Sequence, residues 1–294
     1  NNIDAKSIEE LLNINKNYVI KGLTISLCYK IGHICDLDFI NSFENLEKLQ
    51  IDKITLSKKF MFPKKLKTLV LHSTKISRNI FKKISKLKYL SELSIYTYNV
   101  LLTKLSNNLR YLEILNTPIH YPMDYDIFTN LDFLKLDGFN RISLDLQKYK
   151  MRYIIISCTR TYTEIFFNKN TYHKTINIRG TNFVFNNLKT EKLVCSENGI
   201  IPDFENCEIH KLFINNTKII NFPNSVREVY LEDMKLYSFS DFPDSVEKIH
   251  IKEYRYSYHK QGQFPKNLKE LGIGSFWTKP TKKYHNYKTY DSQF

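Results

Sequence analysis

The sequence predicts a solenoid of parallel strands built from short repeats, and two columns of apolar residues carry the prediction. Its unit is apolar, two free positions, apolar, one free position, apolar, as in the stretch Leu46-Glu47-Lys48-Leu49-Gln50-Ile51. The middle apolar residue is taken as the anchor, and the anchors are Leu23, Leu49, Leu69, Leu93, Leu112, Leu134, Ile154, Ile176, Leu193, Leu212, Val229, Ile249 and Leu271. They recur on average roughly every 21 residues, within the range of solenoid repeats. The residue two positions after each anchor is also apolar.

This spacing predicts one short strand per repeat. An anchor and the residue two positions later point to one face of a strand, and the residue between them points to the other face. A lone strand cannot bury its apolar face, whereas strands stacked in parallel bury a continuous core and complete the backbone hydrogen bonds. We therefore expect about thirteen parallel strands joined by return segments.

A further column lies five positions after the anchor. It holds Cys, Thr or Asn in the copies with Cys28, Thr74, Thr117, Thr159, Thr181, Asn198 and Thr217. Short polar side chains of this kind bond the backbone of a turn. With this column the chain resembles a leucine-rich repeat protein over about residues 18–277. The resemblance implies an α/β horseshoe with about thirteen parallel strands on its concave face and helical to extended segments on its convex face.

Four repeats carry a more specific signature, a Phe-Pro pair before the strand. The pairs are Phe62-Pro63, Phe222-Pro223, Phe242-Pro243 and Phe264-Pro265. Pro223-Asn224-Ser225-Val226 and Pro243-Asp244-Ser245-Val246 resemble the P-x-S-L of FNIP repeats, which occur in amoebae and large DNA viruses, although the FNIP core Phe-Asn-x-Pro-Ile is missing. We expect these Phe rings to pack in the core.

The return segments should change along the chain. Between the third and fourth strands the apolar residues recur at three and four, which predicts a helical segment containing Ile80, Phe81, Ile84, Leu87 and Leu90. Later repeats are shorter and leave no room for a helix, so extended chain or tight 3₁₀ turns are expected there.

Both ends differ from the repeats. Ser7 and Glu10 fit a capping box before an apolar helical face, which predicts an N-terminal helical cap over residues 1–17. The repeats are expected to fill 18–277. Residues 278–294 form a basic and aromatic C-terminal cap or tail; as an alternative, such a tail grips nucleic acid or an acidic partner.

Composition bounds the compartment and the partners. The chain has 294 residues and a net charge of +14. This charge fits nucleic-acid or anionic-surface binding, but the joint excess of Lys, Asn, Ile, Tyr and Phe is also what an AT-rich genome produces. No apolar run is long enough to span a membrane. Five cysteines form no C-x-x-C motif, which favours a reducing, cytoplasmic location.

No catalytic or cofactor motif is present. Phosphate-binding, dinucleotide-binding and zinc-protease motifs and the nucleophile elbow are all missing. His33 and Cys35 lie close together, but no further ligands follow at zinc spacing. Cys35-Asp36 places a thiol beside a carboxylate without an identifiable base. The sequence therefore predicts a protein that is not an enzyme and has neither metal nor cofactor.

Two functions remain. The first is a protein-interaction scaffold that binds a protein partner on the concave sheet face; the alternative is nucleic-acid or anionic-surface binding through excess Lys and the C-terminal tail. For the first, aromatic residues recur on the strand face opposite the core, with charged residues beside them. The predicted partner-binding residues are Tyr96, Tyr111, Glu113, Phe133, Lys135, Tyr153, Phe213, Tyr230 and His250. Because that face should be solvated, Glu113 is expected to matter little for stability.

Overall fold

The chain forms two compact units, Asn1–Thr163 and Glu164–Phe294. The structure is a computed structural model, and it describes residues 13, 19–26, 34–35, 37–72, 76–96, 105, 108–115, 129–139, 142–158, 163–180, 183–196, 200–201, 204, 206–216, 218–219, 221–232, 239–252, 263–273 and 276–278.

The first unit is built on a sheet of parallel strands. In chain order its strands are β1 (Gly22–Ser26), β2 (Ile34–Cys35), β3 (Lys48–Asp52), β4 (Thr55–Leu56), β5 (Thr68–His72), β6 (Glu92–Tyr96), β7 (Tyr111–Leu115), β8 (Phe133–Phe139), β9 (Ile142–Leu146) and β10 (Tyr153–Cys158). The main sheet runs β1-β3-β5-β6-β7-β8-β10. Its anchors pair in a continuous row, Leu23, Leu49, Leu69, Leu93, Leu112, Leu134 and Ile154.

The second unit repeats the arrangement. Its strands are β11 (Thr163–Phe167), β12 (His173–Gly180), β13 (Phe183–Asn186), β14 (Lys189–Ser196), β15 (Ile200–Ile201), β16 (Glu208–Asn215), β17 (Lys218–Ile219), β18 (Glu228–Glu232), β19 (Lys248–Lys252), β20 (Glu270–Ile273) and β21 (Phe276–Thr278). The main sheet runs β12-β14-β16-β18-β19-β20-β21. Its anchors also pair in a row, Ile176, Leu193, Leu212, Val229, Ile249 and Leu271.

The predicted strands and their register are confirmed. All thirteen anchors lie on strands. Within each unit, the strands that carry successive anchors pair in parallel, and the anchors are register partners. Leu23 and Ile25 on β1 are half-buried. The anchors from Leu49 to Leu271 and the residues two positions later from Ile51 to Ile251 are buried in the core; Leu112 and Ile114, for example, are both 0% exposed. Burying one such side chain stabilises a fold by about 1.5–3 kcal/mol. Each unit is therefore a parallel β-solenoid.

The return segments contain little helix. The predicted helix is confirmed as α1 (Arg78–Ile84), which starts at the N-cap Ser77 and buries Ile80, Phe81 and Ile84. It ends before Leu87 and Leu90, which were also expected to be helical. Among the described residues, 3₁₀ helices occur at Asp38–Ser42 and Phe239–Asp241.

Elsewhere the described return segments are mostly extended, as the short repeats predict. β2 pairs with β4 and β15 with β17, both in parallel, and β11 neighbours β13. On β13, Phe183 and Phe185 are buried and alternate with half-buried residues, which is a strand pattern. The helical convex layer of an α/β horseshoe is thus not confirmed, because these segments are short and carry strand periodicity.

The four Phe-Pro repeats share one turn. In each, the proline carbonyl accepts a hydrogen bond from the amide three residues later, at 3.4 Å for Leu66 and 3.1 Å for Val226, Val246 and Leu268. The fixed φ of proline favours such a turn. Phe62 and Phe242 are 6% and 5% exposed, so these two rings pack in the core as expected. Phe222 and Phe264 are only half-buried.

In the two repeats that carry the P-x-S motif, the serine hydroxyl bonds the backbone of the repeat before it. The Ser245 hydroxyl donates to the carbonyl oxygen of Val226 at 2.8 Å, and the Ser225 hydroxyl accepts from the amide of Ile209 at 2.9 Å. Each hydroxyl therefore ties its turn to the backbone of the preceding repeat.

Strand ends have a backbone feature that was not predicted. Four positions after the anchor, Lys53, Asn216, Gly138 and Gly180 adopt φ values of 60°, 48°, 83° and 129°. These values belong to the left-handed side of φ, where glycine and asparagine are favoured. Lys53 and Asn216 directly follow their strands and Gly180 ends β12, whereas Gly138 lies within β8, where the pairing with β10 skips one residue.

The final strand closes one sheet edge. β21 pairs antiparallel with β20, so that Gly272 faces Trp277. An antiparallel strand here interrupts the parallel ladder and covers its open edge, which end repeats require.

Several predictions lie outside the described residues. They are the N-terminal cap over residues 1–17, the polar turn column, His33 with Asp36, and the tail after Thr278. Within the predicted cap only Asn13 is described, and it is helical.

Candidate functional site

The strand face opposite the core carries the candidate site. It consists of the positions one before, one after and three after each anchor, and we call it the exposed sheet face. On β7 the residues Tyr111, Glu113 and Leu115 are half-buried, whereas Leu112 and Ile114 are buried. The alternation of a strand thus sets all nine predicted partner-binding residues on this face.

A stacked ring pair lies on β7 and β8 of the first unit's face. The Tyr111 and Phe133 rings have centroids 4.4 Å apart and planes 6° apart. The two residues are register partners on neighbouring strands, and strand spacing of about 4.8 Å matches a ring stack. Because the stack runs from strand to strand, the rings stand on edge. Tyr153 is the register partner of Phe133 on β10.

A carboxylate lies beside this stack and has three donors. Glu113 accepts hydrogen bonds from Lys135 Nζ at 2.6 Å, Ser94 Oγ at 2.9 Å and Tyr111 Oη at 3.2 Å. Tyr111, Phe133, Glu113, Lys135 and Ser94 are hereafter the first aromatic patch. Lys135 and Glu113 have side chains that are 30% and 16% exposed. The carboxylate is therefore held in one position.

Burial and hydrogen bonding in this patch shift the pKa values of Glu113 and Tyr111. Burial alone would raise the pKa of the Glu113 carboxyl, but the hydrogen bonds from Lys135, Ser94 and Tyr111 together hold it below its ordinary value. Burial and the negative charge of Glu113 raise the pKa of Tyr111 to about 12. At neutral pH the patch thus combines a carboxylate, an ammonium and a neutral phenol.

Tyr96 also lies on the exposed sheet face, at the C-terminal end of β6 and three positions after the anchor Leu93. Its ring meets the His72 ring edge-on, with centroids 6.3 Å apart and planes at 80°. His72 Nδ1 lies 3.5 Å from Asp52 Oδ1 on β3. This places Tyr96 in a polar row with Asp52 and His72.

The second unit has a matching group of rings. The Phe213 and Tyr230 centroids are 4.1 Å apart with planes at 5°, and His250 meets Tyr230 at 5.8 Å and 63°. Lys192 Nζ lies 4.1 Å from the Phe213 centroid. These four residues and Glu228 are hereafter the second aromatic patch.

Charges of both signs surround the second patch. Lys211 pairs with Glu228 at 3.3 Å, and Lys248 pairs with Glu270 at 3.2 Å. The Tyr230 hydroxyl also donates to Glu228 at 3.3 Å. Burial, and next the negative charge of Glu228, raise the pKa of Tyr230.

Sequence reasoning missed Ser94, Lys192 and Glu228. Each stands one position before or after an anchor, so the repeat columns already place it on the exposed sheet face. Reading neighbouring columns together would have paired Ser94 with Glu113, which are register partners.

Other chemistry was searched in the described part of the chain. No group of three or more His, Cys, Asp or Glu side chains that could hold a metal ion occurs among these residues. Cys158 and Cys195 are buried and Cys207 is half-buried, and burial raises the pKa of Cys195. Cys195 thus fills the core position expected for it.

Within the same described residues, no helix has the length and apolar character needed to cross a membrane. No protein-family model matches the chain, and no curated protein matches its sequence.

Proposed function

We propose that the chain is a non-enzymatic scaffold of the leucine-rich repeat class that binds a protein partner on the exposed sheet face. The observation that carries this proposal is a pair of stacked aromatic rings on neighbouring strands of that face in each unit. The repeat length of roughly 21 residues and the column of Cys, Thr and Asn after the strand support the repeat class.

The ring pairs have the properties of interface anchors. Aromatic side chains ringed by polar residues supply much of the binding energy at protein interfaces. Tyr111 and Phe133 hold each other in place, as do Phe213 and Tyr230, so they lose little freedom when a partner binds. The ion pairs around them provide a polar rim.

Ring orientation favours a protein over a nucleic acid. A base stacks on the open face of an aromatic ring. Phe213 has Tyr230 on the β18 side and the Lys192 ammonium on the β14 side, so both of its faces are covered. A partner therefore meets ring edges and polar tips, which suit the side chains of a protein.

The test compares capture of partners by two paired variants. Tyr111→Ala with Phe133→Ala, and Phe213→Ala with Tyr230→Ala, are immobilised beside the unchanged protein and exposed to an extract of the source organism. Quantitative mass spectrometry should show a partner whose recovery falls about tenfold or more on at least one of them. The thermal midpoints should remain close to that of the unchanged protein.

A control variant changes two exposed residues away from the sheet face. Lys148→Ala with Lys169→Ala alters two exposed turn residues of the return segments and should leave recovery unchanged. Equal recovery on both folded ring variants would contradict the proposal. Recovery of RNA or DNA that depends on the rings would replace it with the nucleic-acid alternative.

A further inference from the structure

Lys192 differs from the other lysines in its row of the second unit. The row holds the residue before each anchor: Thr175, Lys192, Lys211, Glu228, Lys248 and Glu270. Lys211 pairs with Glu228 and Lys248 with Glu270. Lys192 makes no ion pair with any residue that the structure describes; its ammonium lies over the Phe213 ring instead. One positive charge of the row is left without a carboxylate.

The rings beside Lys192 add to this positive character. Phe213 and Tyr230 stack face to face across neighbouring strands, so their edges point away from the sheet. An aromatic ring carries partial negative charge on its faces and partial positive charge on its edge. The faces are turned towards Lys192, towards each other and towards His250. The edges are what a partner meets.

The first aromatic patch shows the contrast. There Glu113 has Lys135 as its counter-ion and two further hydroxyl donors, so the charges of that patch cancel. The second patch has the same ring stack but retains an ammonium without a counter-ion.

Resting on the proposed function, we infer that the second aromatic patch binds an acidic segment of the protein partner. A carboxylate of that segment pairs with Lys192, and an apolar side chain next to it packs on the edges of Phe213 and Tyr230. Electrostatic complementarity of this kind contributes mainly to partner choice. The patch therefore selects segments in which an acidic residue adjoins an apolar one.

Defined peptides test the inference. Three fluorescent peptides of alternating Glu and Phe, Gln and Phe, or Lys and Phe are titrated against the full chain, with oligouridylate as a fourth probe. Fluorescence anisotropy should rank the Glu peptide first, about threefold to tenfold tighter than the Gln peptide, as expected for one partly exposed charge pair.

Variants assign the preference to one residue. Lys192→Met should abolish the difference between the Glu and Gln peptides, and Lys192→Glu should reverse the order in favour of the Lys peptide. Lys48→Glu is the matched control, because Lys48 has the same repeat position in the first unit. It should leave the order unchanged.

Several results would overturn the inference. They are equal binding of the three peptides, an equal effect of Lys48→Glu, or tighter binding of oligouridylate that the Glu peptide displaces. The proposed function fails separately: if partner capture depends on the ring pairs while the peptides are not distinguished, the scaffold stands and only the acidic preference falls.

Discussion

The two aromatic patches use the same two strand positions, one before and one after the anchor, but exchange their rings and charges between them. In the first, Glu113 lies one position after its anchor and binds Lys135, Ser94 and Tyr111 at once. In the second, that position holds rings in successive repeats, and the charges occupy the row before the anchors. The comparison teaches that the core register fixes where side chains stand, whereas the residue types on either side of each anchor decide how the charges of a patch are paired.

The largest expected effect tests whether the two patches rest on equivalent cores. Leu112→Ala and Leu212→Ala each remove a side chain that is 0% exposed, and each should lower the free energy of unfolding by about 2–5 kcal/mol through the cavity left behind. Urea unfolding measures both. A cost near zero for either one would show that the core row is misplaced there.

The next largest effect is a difference in stability cost between removing the carboxylate of Glu113 and removing that of Glu228. Glu113→Gln should cost about 1–2 kcal/mol, since it removes an ion pair and strains two further hydrogen bonds. Glu228→Gln should cost less, because its contacts to Lys211 and Tyr230 are longer, at 3.3 Å each. Equal costs would show that the three-donor arrangement adds nothing.

Acid should abolish the stabilisation that the Glu113 carboxylate provides. Its pKa is lowered in the folded protein, so its stabilisation is complete above the ordinary pKa of about 4.3 and is lost as pH falls through the lowered value. Urea midpoints of the unchanged protein and Glu113→Gln should therefore approach each other as the pH falls below the ordinary pKa and through the lowered pKa of Glu113. A difference that persists in acid would mean that shape, and not charge, sets the cost.

The smallest effect concerns the exposed ion pairs of the second unit. Lys248 and Glu270 have side chains that are 37% and 41% exposed, so solvent screens their attraction. Lys248→Met should leave the thermal midpoint unchanged, while Lys135→Met in the first patch should lower it. A larger shift for Lys248 would reverse the contrast drawn between the patches.

The strands and the core were predictable from sequence because one rule governs every repeat. Leu112 and Leu134 must face inwards, and the alternation of a strand then fixes Tyr111 and Phe133 outside. The helix at Arg78–Ile84 was predictable for the same reason, since its apolar residues follow the helical period. Thus local patterning carried most of the fold.

Other features depend on neighbours that one strand does not reveal. Glu113 was expected to be solvated, yet Ser94 and Lys135 reach it from the strands on either side. Lys192 lies over Phe213 of the next strand. The antiparallel pairing at Phe276–Thr278 follows no repeat. Contacts between repeats, unlike alternation within one, depend on side-chain conformations that spacing does not determine.

Site-specific photo-crosslinking tests the central claim, a partner on the exposed sheet face, most directly. A photoreactive amino acid replaces Ile155 or Val194 on that face, or Lys148 or Lys169 in exposed turns of the return segments. After irradiation in an extract of the source organism, mass spectrometry should find one protein joined to the face positions and absent from the turn positions. Crosslinks to that protein from Lys148 or Lys169 alone would contradict the account.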